Sequence, residues 1–282
     1  GEYNTAIEWY LKAIAIREAK LGSDHPSTAT SYNNIGAIYI LQGAYNTAIE
    51  WFLKAIAIQK AMLGDHPNTA ASYNNIAVTY NSLGKYDTAI KWYLKAIAIR
   101  EAKLGSDHPS TATSYNNIGF TYLSKGEYDT AIKWCLKAIA IQEAKLGSDH
   151  PSTATSYNSI GLAYISKGEY DTAIEWYLKA IAIREAKLGS EHPSTATSYN
   201  NIGLACNSKG EYDTAIDWYL KAIEIREAKL GCDHPDTATS FNNIGLAYKS
   251  KGEYNTAIEW YLKAIAIREA KLGSDHPSTA TS

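Results

Sequence analysis

A block of 42 residues returns along the chain, and this repetition limits the possible fold more than any other property of the sequence. Copies begin at Gly1, Gly43, Gly84, Gly126, Gly168, Gly210 and Gly252. The second copy alone is one residue short, where Leu63-Gly64-Asp65 replaces the usual Leu-Gly-Ser-Asp. A period of this size marks a repeat array, in which each unit leans on its neighbours and loops absorb deletions. All seven Trp, all seven Pro and all seven His fall at equivalent places. Each of them therefore belongs to the repeat and not to one unique active site.

Every copy holds two helical patterns. In Pro151 to Lys167, Ala154, Tyr157, Ile160, Gly161 and Tyr164 recur at three and four residues, an apolar helical stripe. Proline suits the first turn, where a missing N–H costs nothing, and Asp149 and Ser152 are expected to cap that end or favour its dipole. A second helix is predicted from Tyr170 to Leu188, with Ala173, Ile174, Tyr177, Leu178, Ile181 and Ile183 mostly on one face, ending at Leu188-Gly189. Between the two, Lys167-Gly168-Glu169 is a turn short enough for antiparallel neighbours. One such hairpin cannot cover its own apolar stripe, so the copies must stack. The row of Trp9, Trp51, Trp92, Trp134, Trp176, Trp218 and Trp260 is expected in the core, while Gly161 with Ala173, and Gly36 with Ala48, allow two helices to approach closely.

Tyr157, Ile160-Gly161, Tyr164, Gly168-x-Tyr170, Ala173, Tyr177 and Ala180 form a pattern that resembles the tetratricopeptide repeat. The common form of that repeat has 34 residues; the extra length here lies in Ala182 to Gly189, which extends the second helix and its exit loop. Leu-Gly-x-Asp-His-Pro and Tyr-Asn-Asn-Ile make the longer form similar to the repeats of kinesin light chains, although the kinesin-binding heptad segment of that family is absent. The resemblance implies an all-α fold, a right-handed superhelical solenoid of tandem antiparallel helix hairpins forming a single array over residues 1–282. It also implies a concave groove lined by the first helices, and a protein-interaction scaffold binding an extended peptide or a helix.

Two asparagine columns fall on those first helices. One is Asn33, Asn74, Asn116, Asn158, Asn200 and Asn242; the other is Asn34, Asn75, Asn117, Ser159, Asn201 and Asn243. An amide offers donors and an acceptor, so a ladder of them can grip a peptide backbone. They can equally bond between adjacent helices, and one column is expected to do so while the other faces ligand. Asparagine is a poor interior helix former and needs one of these reasons. Beyond them the copies differ at Ala37, Val78, Phe120, Leu162, Leu204 and Leu246, and one turn on at Ile40, Asn81, Leu123, Ile165, Asn207 and Lys249. Apolar residues there, Phe120, Leu162 and Leu204 among them, are candidates for side-chain pockets. Ser82, Ser124, Ser166, Ser208 and Ser250 stand where family members that clamp a terminal carboxylate carry cations, which argues against such a clamp and against a taste for tryptophan-acidic peptides.

Other chemistry finds little support. The recurring Asp-His pairs, Asp149-His150 for example, lie about one helix-pair spacing apart, on the order of 10 Å. They cannot gather around one metal whose ligands stand about 2 Å away, so a loop and helix-start role is expected. Glu8–Lys12, Glu50–Lys54, Glu175–Lys179 and Glu259–Lys263 read as i,i+4 solvent pairs, and Lys91, Lys95, Lys133 and Lys137 as a mildly basic outer wall. No phosphate loop, Cys-x-x-Cys pair or nucleophile with its base occurs, so no enzyme activity, cofactor or metal is expected. A net charge of −2, from 27 basic and 29 acidic residues, gives no footprint for nucleic acid. No apolar run approaches the 18 or so residues a membrane span needs. Scattered Cys135, Cys206 and Cys232, with no N-x-S/T sequon, favour the cytoplasm. The chain starts and stops inside a repeat without polar capping helices, as a segment of a longer array would. Two further readings follow, an array whose end-to-end self-association is its function, and a sensor arm of a larger signalling protein.

Overall fold

Proline at the first turn and glycine after the last divide the chain into helices with little between them. The computed structural model of the protein describes residues 2–272. In chain order its helices are α1 (Glu2–Leu21), α2 (Pro26–Leu41), α3 (Tyr45–Leu63), α4 (Pro67–Ser82), α5 (Tyr86–Leu104), α6 (Pro109–Lys125) and α7 (Tyr128–Leu146). They continue as α8 (Pro151–Lys167), α9 (Tyr170–Leu188), α10 (Pro193–Lys209), α11 (Tyr212–Leu230), α12 (Pro235–Lys251) and α13 (Tyr254–Leu272). The even-numbered helices are the first helices of the repeat. The bounds of α8 and α9 are those the sequence predicts. Gly168 ends α8 in the left-handed region, φ 84°, and its N–H returns to the carbonyls of Tyr164 and Ile165.

The cap at the other end differs from expectation. His150, not Asp149 or Ser152, caps α8: its Nδ1 accepts the Ser152 N–H at 3.1 Å. The same contact recurs at His25, His66, His108, His192 and His234, at 3.1–3.2 Å. Asp149 instead pairs with Lys187 at 2.5 Å, and that ammonium holds its carboxyl below the usual carboxylate range. Behind each cap a buried threonine closes the loop; the hydroxyl of Thr195 donates to the Gly189 carbonyl at 3.0 Å.

Two compact units arise, residues 1–145 and 146–282. Within the first, consecutive helices from α1 to α6 pack as hairpins, and α2, α4 and α6 also touch in turn. Phe52, Ile56, Tyr73 and Ile76 pack together in its core, as do Tyr93, Ile97, Tyr115 and Ile118. The second unit repeats the scheme from α8 to α13, with α8, α10 and α12 in turn and a core of Tyr177, Tyr199, Ile202, Tyr219 and Ile244. The close approach expected of Gly161 is real. A Cβ there would lie 2.7 Å from the Tyr177 ring, and one on Gly36 equally close to Phe52.

In the second unit a buried arginine, which the sequence pattern hides inside a helical stripe, ties one hairpin to the next. Arg184 donates to the Ser194 carbonyl at 2.8 Å and to the Ser198 hydroxyl at 2.5 Å; Arg226 does the same with the Asp236 carbonyl and Ser240. Burial holds both guanidinium groups below their ordinary pKa range. At Gln59, which replaces that arginine, the bond reverses: the Ser72 hydroxyl donates to Gln59 Oε1 at 2.6 Å.

Two expectations change on the outer helices. The tryptophans are half-buried in the interior of each unit, not sealed in the core, and Trp9 is exposed. All but Trp9 lie tilted against an aromatic of the preceding first helix, as Trp176 does against Tyr157 at 5.2 Å between centroids. Lysines expected to pair with glutamate lie over these rings: Lys12, Lys54, Lys179 and Lys263 stand 4.1–4.9 Å from the Trp9, Trp51, Trp176 and Trp260 centroids. An indole three residues earlier offers both an apolar surface for the lysine stem and a π face for its head.

Two outcomes are expected. The hydroxyl of Tyr93 shares a hydrogen bond with Thr121, whereas those of Tyr177 and Tyr219 are buried without a partner, because Ala205 and Ala247 occupy the place of that threonine. Ala205→Thr should raise stability by about 1 kcal/mol, read as a higher urea midpoint; Ala205→Val should not. The imidazole cap is tested in the same way: His192→Ala removes the acceptor of the Ser194 N–H and should lower stability by about 1 kcal/mol, read as a lower urea midpoint, while His192→Asn, which keeps an acceptor, should lose less.

Candidate functional site

The first helices bury one side and leave another open, and the open side carries the candidate residues. On α6, Thr111, Ala112, Ser114, Tyr115, Ile118 and Gly119 face inward, while Thr113, Phe120 and Ser124 are exposed and Asn116 and Asn117 half-buried between them. Steps of three and four residues align threonine, the asparagine pair, the apolar residue and serine on one stripe. The full set returns on α10 and α12; α2 has Leu41 in place of the serine, α4 has Ala71 in place of the threonine, and α8 has Ser159 in place of the second asparagine. Phe120 and Leu246 are exposed and Leu162 and Leu204 half-buried; Val78 and Ala37 hold the same place with less bulk. The serines Ser82, Ser124, Ser166, Ser208 and Ser250 are all exposed.

The two asparagine columns bond to one another across successive hairpins. Asn117 Nδ2 donates to Asn74 Oδ1 at 3.4 Å in the first unit. In the second, Asn201 donates to Asn158 and Asn243 to Asn200, each at 3.1 Å. Asn200, buried, also accepts from the Ser240 hydroxyl at 3.3 Å, which connects it to Arg226. Asn33 donates to Ser72 at 2.6 Å. The first column is thus joined to the scaffold at Asn33, Asn74, Asn158 and Asn200. Asn117, Asn201 and Asn243 turn their N–H groups inward, and their Oδ1 atoms have no partner among the described residues. Asn34 is exposed and Asn75 half-buried, whereas the Oδ1 atoms of Asn33, Asn116 and Asn242 are buried and unpartnered.

What the sequence missed is this cooperation between residues about 40 positions apart. Equal spacing of the two columns was visible; which amide donates to which was not. The threonine that begins the stripe was also missed. Thr113, Thr155 and Thr239 turn their hydroxyls back to the proline carbonyl four residues earlier, at 3.0–3.3 Å, leaving a methyl toward solvent.

Among the described residues, no three His, Cys, Asp or Glu side chains gather as metal ligands, and no helix is long and apolar enough to cross a membrane. Burial pushes the Cys135 thiol up to about 12 and that of Cys206 up to about 11, so neither sits poised as a nucleophile.

The family model described as tetratricopeptide repeat matches residues 1–61, 59–102, 68–131, 110–186, 163–228, 194–270 and 237–282. Comparison with curated protein sequences gives no match. Among solved structures, a candidate kinesin light chain of Podosopora anserina with nearly identical TPR-like repeats is 27% identical, with 73% of this chain and 97% of that chain covered and a TM-score of 0.62. BtubC (BKLC) from P. vanneervenii is 21% identical, covering 83% of this chain and 94% of that chain at a TM-score of 0.69. The apo form of RapI, 17% identical, covers 95% and 92% at 0.73. These last two bear on fold alone.

Removing one donor from the ladder tests its structural share. Asn201→Ala leaves the Asn158 carbonyl unpaired and should cost about 1 kcal/mol, seen as a lower urea midpoint. Asn34→Ala, at an exposed site, should leave the midpoint within error.

Proposed function

Because the chain belongs to the tetratricopeptide repeat family, we propose that it is a protein-interaction scaffold whose first helices hold an extended peptide of a partner. The observation that carries this reading is the open stripe itself, threonine, asparagine pair, apolar residue and serine, complete on α6, α10 and α12 and changed at one place each on α2, α4 and α8. The outward carbonyls of Asn117, Asn201 and Asn243 can accept N–H groups from a peptide backbone, which every sequence supplies. Phe120, Leu162, Leu204 and Leu246 add apolar contacts that select side chains. Cationic groups are scarce on this stripe, Lys249 being the exception, so the partner segment is not recognised through a terminal carboxylate. The copies over residues 1–282 are read as one array, acting without a cofactor in the cytoplasm; three free thiols suit a reducing compartment.

Peptides selected from an unbiased library against the intact chain provide the test. Leu204→Ser and Leu246→Ser should weaken the selected peptides about tenfold each, the loss that goes with one apolar contact. Leu178→Ser and Leu220→Ser, exposed on the second helices, should not. The opposite pattern would place the partner on the outer helices and remove this reading.

A further inference from the structure

In a chain built from near-identical copies, departures from the copied residue are the informative positions, and several of them meet in one groove. Alanine stands at Ala15, Ala57, Ala98, Ala140, Ala182 and Ala266, but Glu224 in the sixth copy. Tyrosine stands at Tyr32, Tyr73, Tyr115, Tyr157 and Tyr199, but Phe241 there. Cys232 replaces a serine. All three line a groove of about 920 Å³ between α11 and α13, together with Glu227 and Trp260.

The change at Phe241 alters the chemistry of the groove as well as its shape. In three other copies the tyrosyl hydroxyl spans the equivalent gap and donates to a glutamate of the preceding helix: Tyr32 to Glu18 at 2.7 Å, Tyr115 to Glu101, and Tyr199 to Glu185. Burial and that carboxylate push the Tyr199 hydroxyl up to about 12, so it stays protonated and donates. Phe241 has no hydroxyl, and Glu227, the counterpart of those glutamates, is left without its donor. Glu224 adds a second carboxylate one turn earlier on the same helix. Neither is in an ion pair among the described residues. The groove floor is apolar, with Phe241 and Ile223 buried. Across the groove, Lys263 lies over the Trp260 ring at 4.1 Å from its centroid and 6.0 Å from that of Phe241, so its ammonium is engaged with the aromatic wall and not with either carboxylate.

We infer that this groove docks a partner peptide through an arginine flanked by aliphatic residues. The guanidinium supplies to Glu227 and Glu224 the N–H donors that no tyrosine supplies here, while the flanking side chains rest on Leu220, Ala228 and Ile267. Arginine suits the place better than lysine, because a planar fork can meet two carboxylates at once. The site lies between the second helices α11 and α13, with Phe241 of α12 at its floor, away from the open first-helix stripe, and does not depend on a peptide binding there.

Cys232 at the rim is a built-in reporter, since it is exposed while Cys135 and Cys206 are buried. The intact chain would be alkylated with iodoacetamide in the presence of acetyl-Gly-Leu-Arg-Leu-Gly-amide, or of the same peptide with glutamine for arginine, and the Cys232 rate followed by mass spectrometry. The arginine peptide should protect Cys232 at a concentration about tenfold lower than the glutamine peptide, as expected for a charge-assisted contact. The double variant Glu224→Ala with Phe241→Tyr restores the residues that other copies already fold with, and should abolish the difference. Equal protection by both peptides, no protection by either, or unchanged selectivity in the double variant would each overturn the inference.

Discussion

An aromatic ring set against a missing side chain is the contact on which the rest of this structure depends. Tyr177 lies where a Cβ on Gly161 would be, and Tyr219 where one on Gly203 would be, at 2.6–2.7 Å. Close packing of this kind is directional: it holds α8 to α9 and α10 to α11 at one distance and one rotation. Only then can Arg184 reach Ser194 and Ser198 on the following helix, and Asn201 reach Asn158 on the preceding first helix. Hydrophobic burial supplies the drive, roughly 25 cal/mol per Å² of apolar surface, but shape decides where the polar groups land. A larger residue at Gly161 would therefore disturb bonds well outside its own contacts.

Polar groups between copies then divide into two kinds. Those that are sealed, such as Arg184, Arg226 and Asn200, cost much to leave unpaired, and they find partners in the next hairpin. Those at the surface, such as Lys187 with Asp149 or Lys209 with Asp171 and Glu211, are exposed ion pairs of small individual weight. Specific registration of one copy against the next comes from the sealed set. Some buried groups stay unpaired, the Oδ1 atoms of Asn33, Asn116 and Asn242 among them, and so do the hydroxyls of Tyr177 and Tyr219, where alanine stands in place of a threonine.

Fold was legible in the sequence because its signals are local. Pro151 and Gly168 bracket α8, the three-and-four spacing of Ala154, Tyr157 and Ile160 marks its inner side, and Gly161 betrays a close neighbour. Readings that failed required a partner distant in sequence or a competing local one. His150 looked like a loop residue beside a better capping candidate, but the cap needs an acceptor two residues before the free N–H, which Nδ1 provides and Asp149, paired to Lys187, does not. Lys179 was assigned to Glu175 by spacing alone, although the Trp176 ring was nearer to its stem. Arg184 sat unnoticed in a helical stripe because its partners are 10 and 14 residues away. For the candidate site, the columns of Asn158 and Asn201 could be drawn from the repeat, but not the division between an inward N–H and an outward carbonyl.

Copying also separates two ways in which such a chain can recognise another molecule. A stripe that returns with few changes from one first helix to the next offers similar amide and methyl groups again and again, which suits a feature that also recurs, the backbone of an extended peptide. Discrimination needs something that does not recur. Phe120, Leu162, Leu204 and Leu246 vary in size only, a weak basis for selection. The α11–α13 groove differs in kind, since one hydroxyl is lost and one carboxylate gained against an otherwise constant frame. Alanine stands in the six other copies and tyrosine in the first five, so the sixth lacks a hydrogen bond that Tyr199 makes in the fifth. Exposed Glu227, released from a tyrosine, and exposed Glu224 one turn before it set a pair of carboxylates at a single place on the array, which is the kind of difference by which one copy can be told from the others.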